Sequence, residues 1–408
     1  MKQAPQNIEA VEVSLPSKDL GADLEFFTER LGFRLDTIFP ADDPAVAVLS
    51  RHGLRLRLDR HSTAAPGVLR VLCREPTVLA GGVRELTAPN GVRIQIVDSA
   101  PRMETPKTRH AFVVSRLGAE SPWVRGRAGM QYRDLIPGRL GGAVIASHIR
   151  IPDAGPVQDM VHSHDVGFQL IFCHRGWVRL VYEDQGSPFV LKAGDCLIQP
   201  PQIRHRVLES SENLQVIEVG TPAEHITTMD HEMELPTEDR RHDRRFGGQR
   251  FCISRADEAV WTPGRLSGFL ARETGIGEAT GGVASVRVAR PARSLSGEWA
   301  THTADILFAF VRSGSMLLRA KGQPDHALAE GDAFVIPPGL KTRLDECSED
   351  FELLEVALPA DFETRPHEAD ALGLSCFAHF GRSGRIVPPT PSPSASSPSG
   401  RAEPIVNR

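Results

Sequence analysis

Between Val11 and Asp98 the hydrophobic positions change their period twice. Val11, Val13 and Leu15 alternate with polar residues, the two-residue period of a strand with one buried face. Leu20, Leu24, Phe27 and Leu31 then fall three and four apart, the stripe of an amphipathic helix, with Asp19 placed to cap it and Gly32 to end it. Alternation returns in AVAVLS (45–50) and LRLRLDR (54–60), and Pro89-Asn90-Gly91 turns the chain into VRIQIVD (92–98). This predicts a β-α-β-β-β unit followed by further strands.

From residue 112 the pattern becomes a series of short alternating runs, such as WVRLVYED (177–184) and FVLKAGDCLIQPP (189–201), punctuated by Gly and Pro. Such a series predicts an antiparallel β-sandwich or barrel. The series occurs twice. FVVSR at Phe112 returns as FCISR at Phe251, WVRGR at Trp123 as WTPGR at Trp261, and Arg133-Asp134 as Arg272-Glu273. GGAVIASHIRIP at Gly141 is answered by GGVASVRVARP at Gly281, and GDCLIQPPQIRH at Gly194 by GDAFVIPPGLKT at Gly331. A lag held between 136 and 140 residues over so many landmarks makes 112 to about 235 and 251 to about 370 two copies of one fold.

The expected division is therefore 1–100, a first copy over 101–235, a linker over 236–250, a second copy over 251–386 and a tail over 387–408. The connector MELPTEDRRHDRRFGGQR (233–250) reads as a solvated linker, its basic half being the alternative of a phosphate-binding patch. The tail, which opens with VPPTPSPSASSPSGRAEP, has too little apolar surface to offset the entropy of ordering and is expected to be disordered.

Composition narrows the function. Forty per cent hydrophobic and 24% charged residues are ordinary for a globular chain of two or three domains, and a net charge of -5 makes no case for nucleic acid. The six cysteines, at 73, 173, 196, 252, 347 and 376, form no C-x-x-C pair, which points to reduced thiols rather than disulfides or a thiolate zinc site. Without an apolar signal core or an 18-residue apolar run, the expectation is a cytoplasmic protein with no membrane partner.

Candidate chemistry lies in VHSHDVGFQL (161–170). On a strand His162 and His164 share one face, with Cα atoms about 6.6 Å apart, so both imidazoles can reach one ion. Gln169 follows before Gly176, and Gly194, Pro200 and His205 follow in turn. In the second copy Ala300 stands at His162, His302 at His164, Leu307 at Gln169 and Thr342 at His205, whereas Gly314, Gly331 and Pro337 persist. The fold needs those turn residues; only a metal needs the polar cluster. One copy reads as loaded and the other as empty.

The spacings H-S-H-x4-Q-x6-G (162–176) and G-x5-P-P-Q-x2-H (194–205) resemble the two motifs of the cupin superfamily, with Gln169 where a glutamate is usual, Gln202 where a glycine is usual, and Gly155 one residue out of place. The resemblance implies a mainly β protein with two double-stranded β-helix barrels. It also implies one divalent metal per chain on His162, His164 and His205, with Gln169 either ligating or hydrogen-bonding a bound water. Imidazole ligands without thiolate leave zinc, iron, nickel, copper and manganese open, and the resemblance favours Fe(II), with Zn, Mn or Ni as alternatives. Three neutral ligands leave the ion's charge uncompensated and favour an anionic or chelating substrate. Three-histidine cupins include ring-cleaving dioxygenases, so the implied activity is a ferrous dioxygenase acting on a small oxygenated acid, phenol or dicarbonyl. The alternatives are a redox-neutral isomerase or cyclase and a non-enzymatic small-molecule-binding cupin, and a homo-oligomer is expected.

VEVSLPSKDLGADLEFFTERLGFRL and TAPNGVRIQIV resemble the glyoxalase/vicinal oxygen chelate superfamily, giving a small α+β (βαβββ) domain. Its metal positions would fall at Glu12, Asp59 and Gln95, and without histidine there the domain reads as a degenerate binding or dimerising module. Five further features stay open. Arg133-Asp134 suits a structural ion pair or cap, or substrate binding; His174 faces either pocket or solvent. His148 is a core or surface histidine or an acid-base group; Arg204 and Arg206 flank His205 and project away from the ligand face, or steer an acidic substrate at the barrel mouth; Phe168, Trp177 and Tyr182 line or pack the barrel.

Overall fold

The computed structural model describes residues 10–40, 43–79, 82–101, 103–118, 122–292 and 297–367. The predicted tail and the end of the second repeat lie outside them. The described chain is mainly β and packs into two compact units, the first taking the described residues of 10–109, 122–258 and 275–283, the second those of 110–118, 259–274 and 284–367. No helix among the described residues is long and apolar enough to cross a membrane.

The N-terminal pattern folds as its periods require. Asp19 caps the helix Leu20–Glu25 by accepting from Ala22 N at 3.1 Å, and the helix continues as a wider π-turn over Phe26–Arg30. Its apolar stripe packs Leu20 and Phe27 against Leu15, Ala47, Leu49, Leu56 and Leu58 of a sheet made of Val13–Pro16, Arg34–Phe39, Val46–Arg51 and Leu54–Asp59. In the sheet the first strand lies parallel to the last, beyond which come the third and second. That is the expected βαβββ unit. A second sheet sets Val68–Cys73 parallel to Arg93–Asp98, with Glu85–Thr87 on its other side.

The first unit also contains a barrel of two facing sheets. One sheet runs Cys252–Ser254, Cys196–Ile198, Phe168–Arg175, Leu214–Thr221, Ile145–Ile151, Gln131–Asp134 and Val124–Arg125; the other holds Phe189–Lys192, Trp177–Tyr182, His205–Ser210, His162–His164 and Thr227–Met229. The second unit repeats this plan, with Val113–Ser115 at the edge beside Ala333–Val335. The strand opening each repeat thus joins the sheet built by the other repeat. Both barrels are double-stranded β-helices, the expected fold class.

Gly176 and Gly314 show why the turn glycines persist in both copies. Their φ values are +76° and +71°, and a Cβ would come within 2.2 Å of Ser211 Oγ in the first and 2.8 Å of Phe351 backbone in the second. Only glycine fits. Gln202, at the position occupied by Gly339 in the second repeat, also sits in the left-handed region, at φ +63° against +77°. Its side chain donates to Asp165 Oδ1 at 2.8 Å.

The connector is mostly exposed, as expected of a linker, but is fastened at several points. Arg244 donates to Glu183 and Asp184 at 2.7 Å, Arg241 pairs with Asp184 at 2.8 Å, and Phe246 and Gln249 are buried. Those two arginines are therefore matched by carboxylates. Cys73, Cys173, Cys196, Cys252 and Cys347 are free thiols, and Cys376 lies outside the described residues.

Candidate metal centre

Strand geometry brings the three histidines together. His162 and His164 alternate onto one face of a three-residue strand, and antiparallel pairing puts His205 directly opposite His162. Ring centroids are 4.2 Å apart for His162 and His205, 5.0 Å for His162 and His164, and 5.2 Å for His164 and His205. One ligand nitrogen from each lies within 4.8 Å of the others.

The outer bonds decide which nitrogen faces inward. His162 Nδ1 donates to Met160 O at 2.8 Å and His205 Nδ1 to Ile203 O at 3.0 Å; a carbonyl only accepts, so these Nδ1 atoms carry the proton. His164 Nδ1 pairs with Thr227 Oγ1 at 2.9 Å. His162 and His205 then keep a lone pair on Nε2, as ligand histidines fixed by outer hydrogen bonds do, and His164 does the same when its Nδ1 donates to the Thr227 hydroxyl. Burial holds them neutral as well. His164 is pushed down to about 3, first by desolvation and then by His162 and His225; His162 and His205 are lowered, again by burial first. Neutral imidazoles with inward lone pairs fit a divalent cation.

The cluster opens into a cavity of about 70 Å³, walled by Ile149, Ile151, Ile171, Val178, Leu180 and Val216 among others. That is several times the space one water needs. Tyr182 stacks on His205 at 5.3 Å, and its hydroxyl accepts from Gln199 Nε2 at 2.8 Å. Desolvation pushes Tyr132, also on the wall, up to about 12.

Gln169 is buried on the other sheet of the barrel, where its Nε2 donates to Glu218 Oε1 at 3.1 Å and its Oε1 has no partner among the described residues. Glu218 is the side chain that reaches the cavity. Burial raises its carboxyl above the usual range. Arg127 also lines the cavity, with Nη1 on Asp159 and Nη2 donating to His162 Nε2 at 2.9 Å. His225 approaches His164 edge-on at 5.4 Å. The motif spacing named none of Glu218, Arg127, Asp159 and His225. Arg127 and Glu218 carried one signal, since the second copy repeats them as Arg265 and Glu355.

The open alternatives resolve by burial and pairing. His148 is a satisfied core histidine, between Arg133 Nη2 at 3.2 Å and Gln215 Oε1 at 2.9 Å, and desolvation lowers it to about 4. His174 packs on His148 at 5.7 Å, facing neither solvent nor the cavity. Asp134 caps Ile136 N at 2.9 Å, and Arg204 pairs with Asp230 at 3.2 Å. Arg206 is exposed, whereas Phe168 is fully buried. In the N-terminal unit Glu12 pairs with Arg55 at 3.1 Å, and Asp59, beside Pro16 in the register, is about four residues or 13 Å along the sheet from it. Gln95 lies on the other sheet, opposite Arg70. The three do not form a ligand cluster.

In the second barrel Ala300 faces Thr342, the register of His162 and His205. His302 Nε2 turns to Ile336 O at 3.1 Å. Leu307, Phe334, Ile336, Leu344 and Leu353 fill the interior and leave a space of about 10 Å³, no more than one water.

No family model matches this chain, and neither does any curated protein. Among solved structures it is similar to a variant of the salicylate 1,2-dioxygenase of Pseudoaminobacter salicylatoxidans in complex with gentisate, at 15% identity over 65% of this chain and 88% of that one, TM-score 0.47. It is also similar to a variant of the Bacillus subtilis oxalate decarboxylase OxdC, at 13% identity over 64% and 81%, TM-score 0.47. A third similar structure is the protein Ylba of E. coli, at 12% identity over 64% and 94%, TM-score 0.44.

Proposed function

We propose that the chain is a metal-dependent bicupin oxidoreductase, a ferrous dioxygenase acting on a small oxygenated acid, phenol or dicarbonyl, with one metal per chain. The observation that carries this reading is the arrangement of His162, His164 and His205: Nδ1 engaged outward, Nε2 left for a common centre, and an apolar cavity beside it. A bound ferrous ion would supply an electron source and open positions for dioxygen and substrate oxygens.

The chain's own residues do the rest. Met160, Ile203 and Thr227 fix the orientation of the imidazoles, the aliphatic wall excludes water from the reacting groups, and Gln169 positions Glu218 at the cavity edge. A redox-neutral isomerase or cyclase using zinc or nickel is the second reading, favoured by a ligand set with no carboxylate among its three members. Protein prepared without oxygen separates them. The proposal expects bound iron and substrate-dependent oxygen uptake; zinc without uptake supports the second reading, and no stable metal leaves a binding protein.

A further inference from the structure

The two barrels carry the same arginine and the same glutamate but use them differently. Arg127 and Arg265 each end a Trp-x-x-Gly-Arg element, and Glu218 and Glu355 hold one register, opposite Ile171 and Ala309. In the second barrel the two meet: Arg265 Nε donates to both carboxylate oxygens of Glu355, at 3.0 and 3.3 Å, and Nη2 donates to Oε1. The joined pair lines the small space left in that barrel.

In the first barrel the pair is held apart across the cavity it lines. Arg127 is drawn to Asp159 and His162, and Glu218 to Gln169. The counterparts of the two residues that hold it open are Gly297 for Asp159 and Leu307 for Gln169. Gly297 has no room for a side chain, because a Cβ would come within 2.2 Å of Leu344 O. The second barrel lacks both holders.

A metal on His162 needs the Nε2 lone pair to which Arg127 Nη2 now donates. The displaced N–H would face the cavity without an acceptor, which is unfavourable for a buried donor. We propose that the gap between Arg127 and Glu218 receives the polar end of the substrate, a carboxylate toward Arg127 and a hydroxyl toward Glu218, which makes the substrate a hydroxylated carboxylic acid on a small apolar skeleton. This rests on the metal-centre reading and selects among its three substrate classes. A simple phenol brings no anion for Arg127, and a dicarbonyl no donor for Glu218.

Titration calorimetry on full-length protein loaded with zinc tests it with two deletion series: 2-hydroxybenzoate, benzoate and phenol, and 2-hydroxy-3-methylbutanoate, 3-methylbutanoate and 3-methylbutan-2-ol. In at least one series the hydroxy acid binds tightest, loss of the carboxylate weakens binding at least about tenfold and loss of the hydroxyl at least about threefold. Arg127→Met then removes the preference for the acid over the alcohol or phenol. The ligand series on the native protein decides the matter if that variant does not fold. Equal affinity with and without the carboxylate in both series, or no binding of either hydroxy acid below about 10 mM, overturns the proposal. Failure to retain one zinc per chain sinks the metal-centre reading instead; failure of the series with zinc in place sinks only the acid assignment.

Discussion

Acid should destabilise the first unit through its buried histidines. His148 and His164 are held neutral by burial, at about 4 and about 3, whereas in the unfolded chain each titrates near 6.5. Their folded values are lowered, so the unfolded state binds more protons below 6.5. The stability they contribute is fully present above that pH and is lost as pH falls from 6.5 toward the folded values. At about pH 5.5 each unfolded imidazole gains RT ln(1 + 10), about 1.4 kcal/mol, against less than about 0.1 at pH 7.5. The two together remove about 2.7 kcal/mol. His162 and His205 shift in the same direction, and only Glu218, whose carboxyl is raised, opposes them among the groups of the cluster. Urea unfolding of metal-free protein, followed by tryptophan fluorescence, should show the midpoint of this unit falling by roughly 1 M between pH 7.5 and 5.5, for a slope of about 2–3 kcal/mol/M. A midpoint that stays level or rises on acidification would refute the assignment of buried neutral imidazoles.

Three substitutions probe the supporting contacts. Tyr182→Phe strands the buried Gln199 amide and should cost about 1–3 kcal/mol in urea unfolding; a change under about 0.5 would show that the amide finds another partner. Asp159→Asn removes the carboxylate that holds Arg127 and caps Val207 N at 2.9 Å, and should cost about 2 kcal/mol or more; unchanged unfolding would contradict the pairing. Gln202→Gly relieves the left-handed backbone and should leave stability equal or raised by up to about 1 kcal/mol, despite the lost contact to Asp165; a loss above about 1 kcal/mol would mean that the contact outweighs the strain.

The βαβββ unit and the two barrels were legible because period and repeat are properties of the chain itself. His162 and His164 were legible because strand alternation puts them on one face, and His205, on a distant strand, because its spacing resembles the second of the two motifs. Arg127 was not: it enters from a turn 35 residues upstream of His162, and only the tertiary fold brings its guanidinium to that ring. Glu218 escaped for a similar reason, as it lies on a strand adjacent in space to Gln169 but 49 residues away in sequence. The edge strands at Val113–Ser115 and Cys252–Ser254 were recognised as equivalents, yet equivalence does not say which sheet a strand joins. The charged connector reads as a linker by composition, whereas its anchoring depends on Glu183 and Asp184, about 60 residues away.

Metal content per chain, measured on wild type and on His162→Ala and His302→Ala variants prepared in parallel, tests the central claim most directly. One equivalent in wild type and in His302→Ala, with none in His162→Ala, is the expected result. Equal loss from both variants, or full retention by His162→Ala, would contradict a single centre in the first barrel.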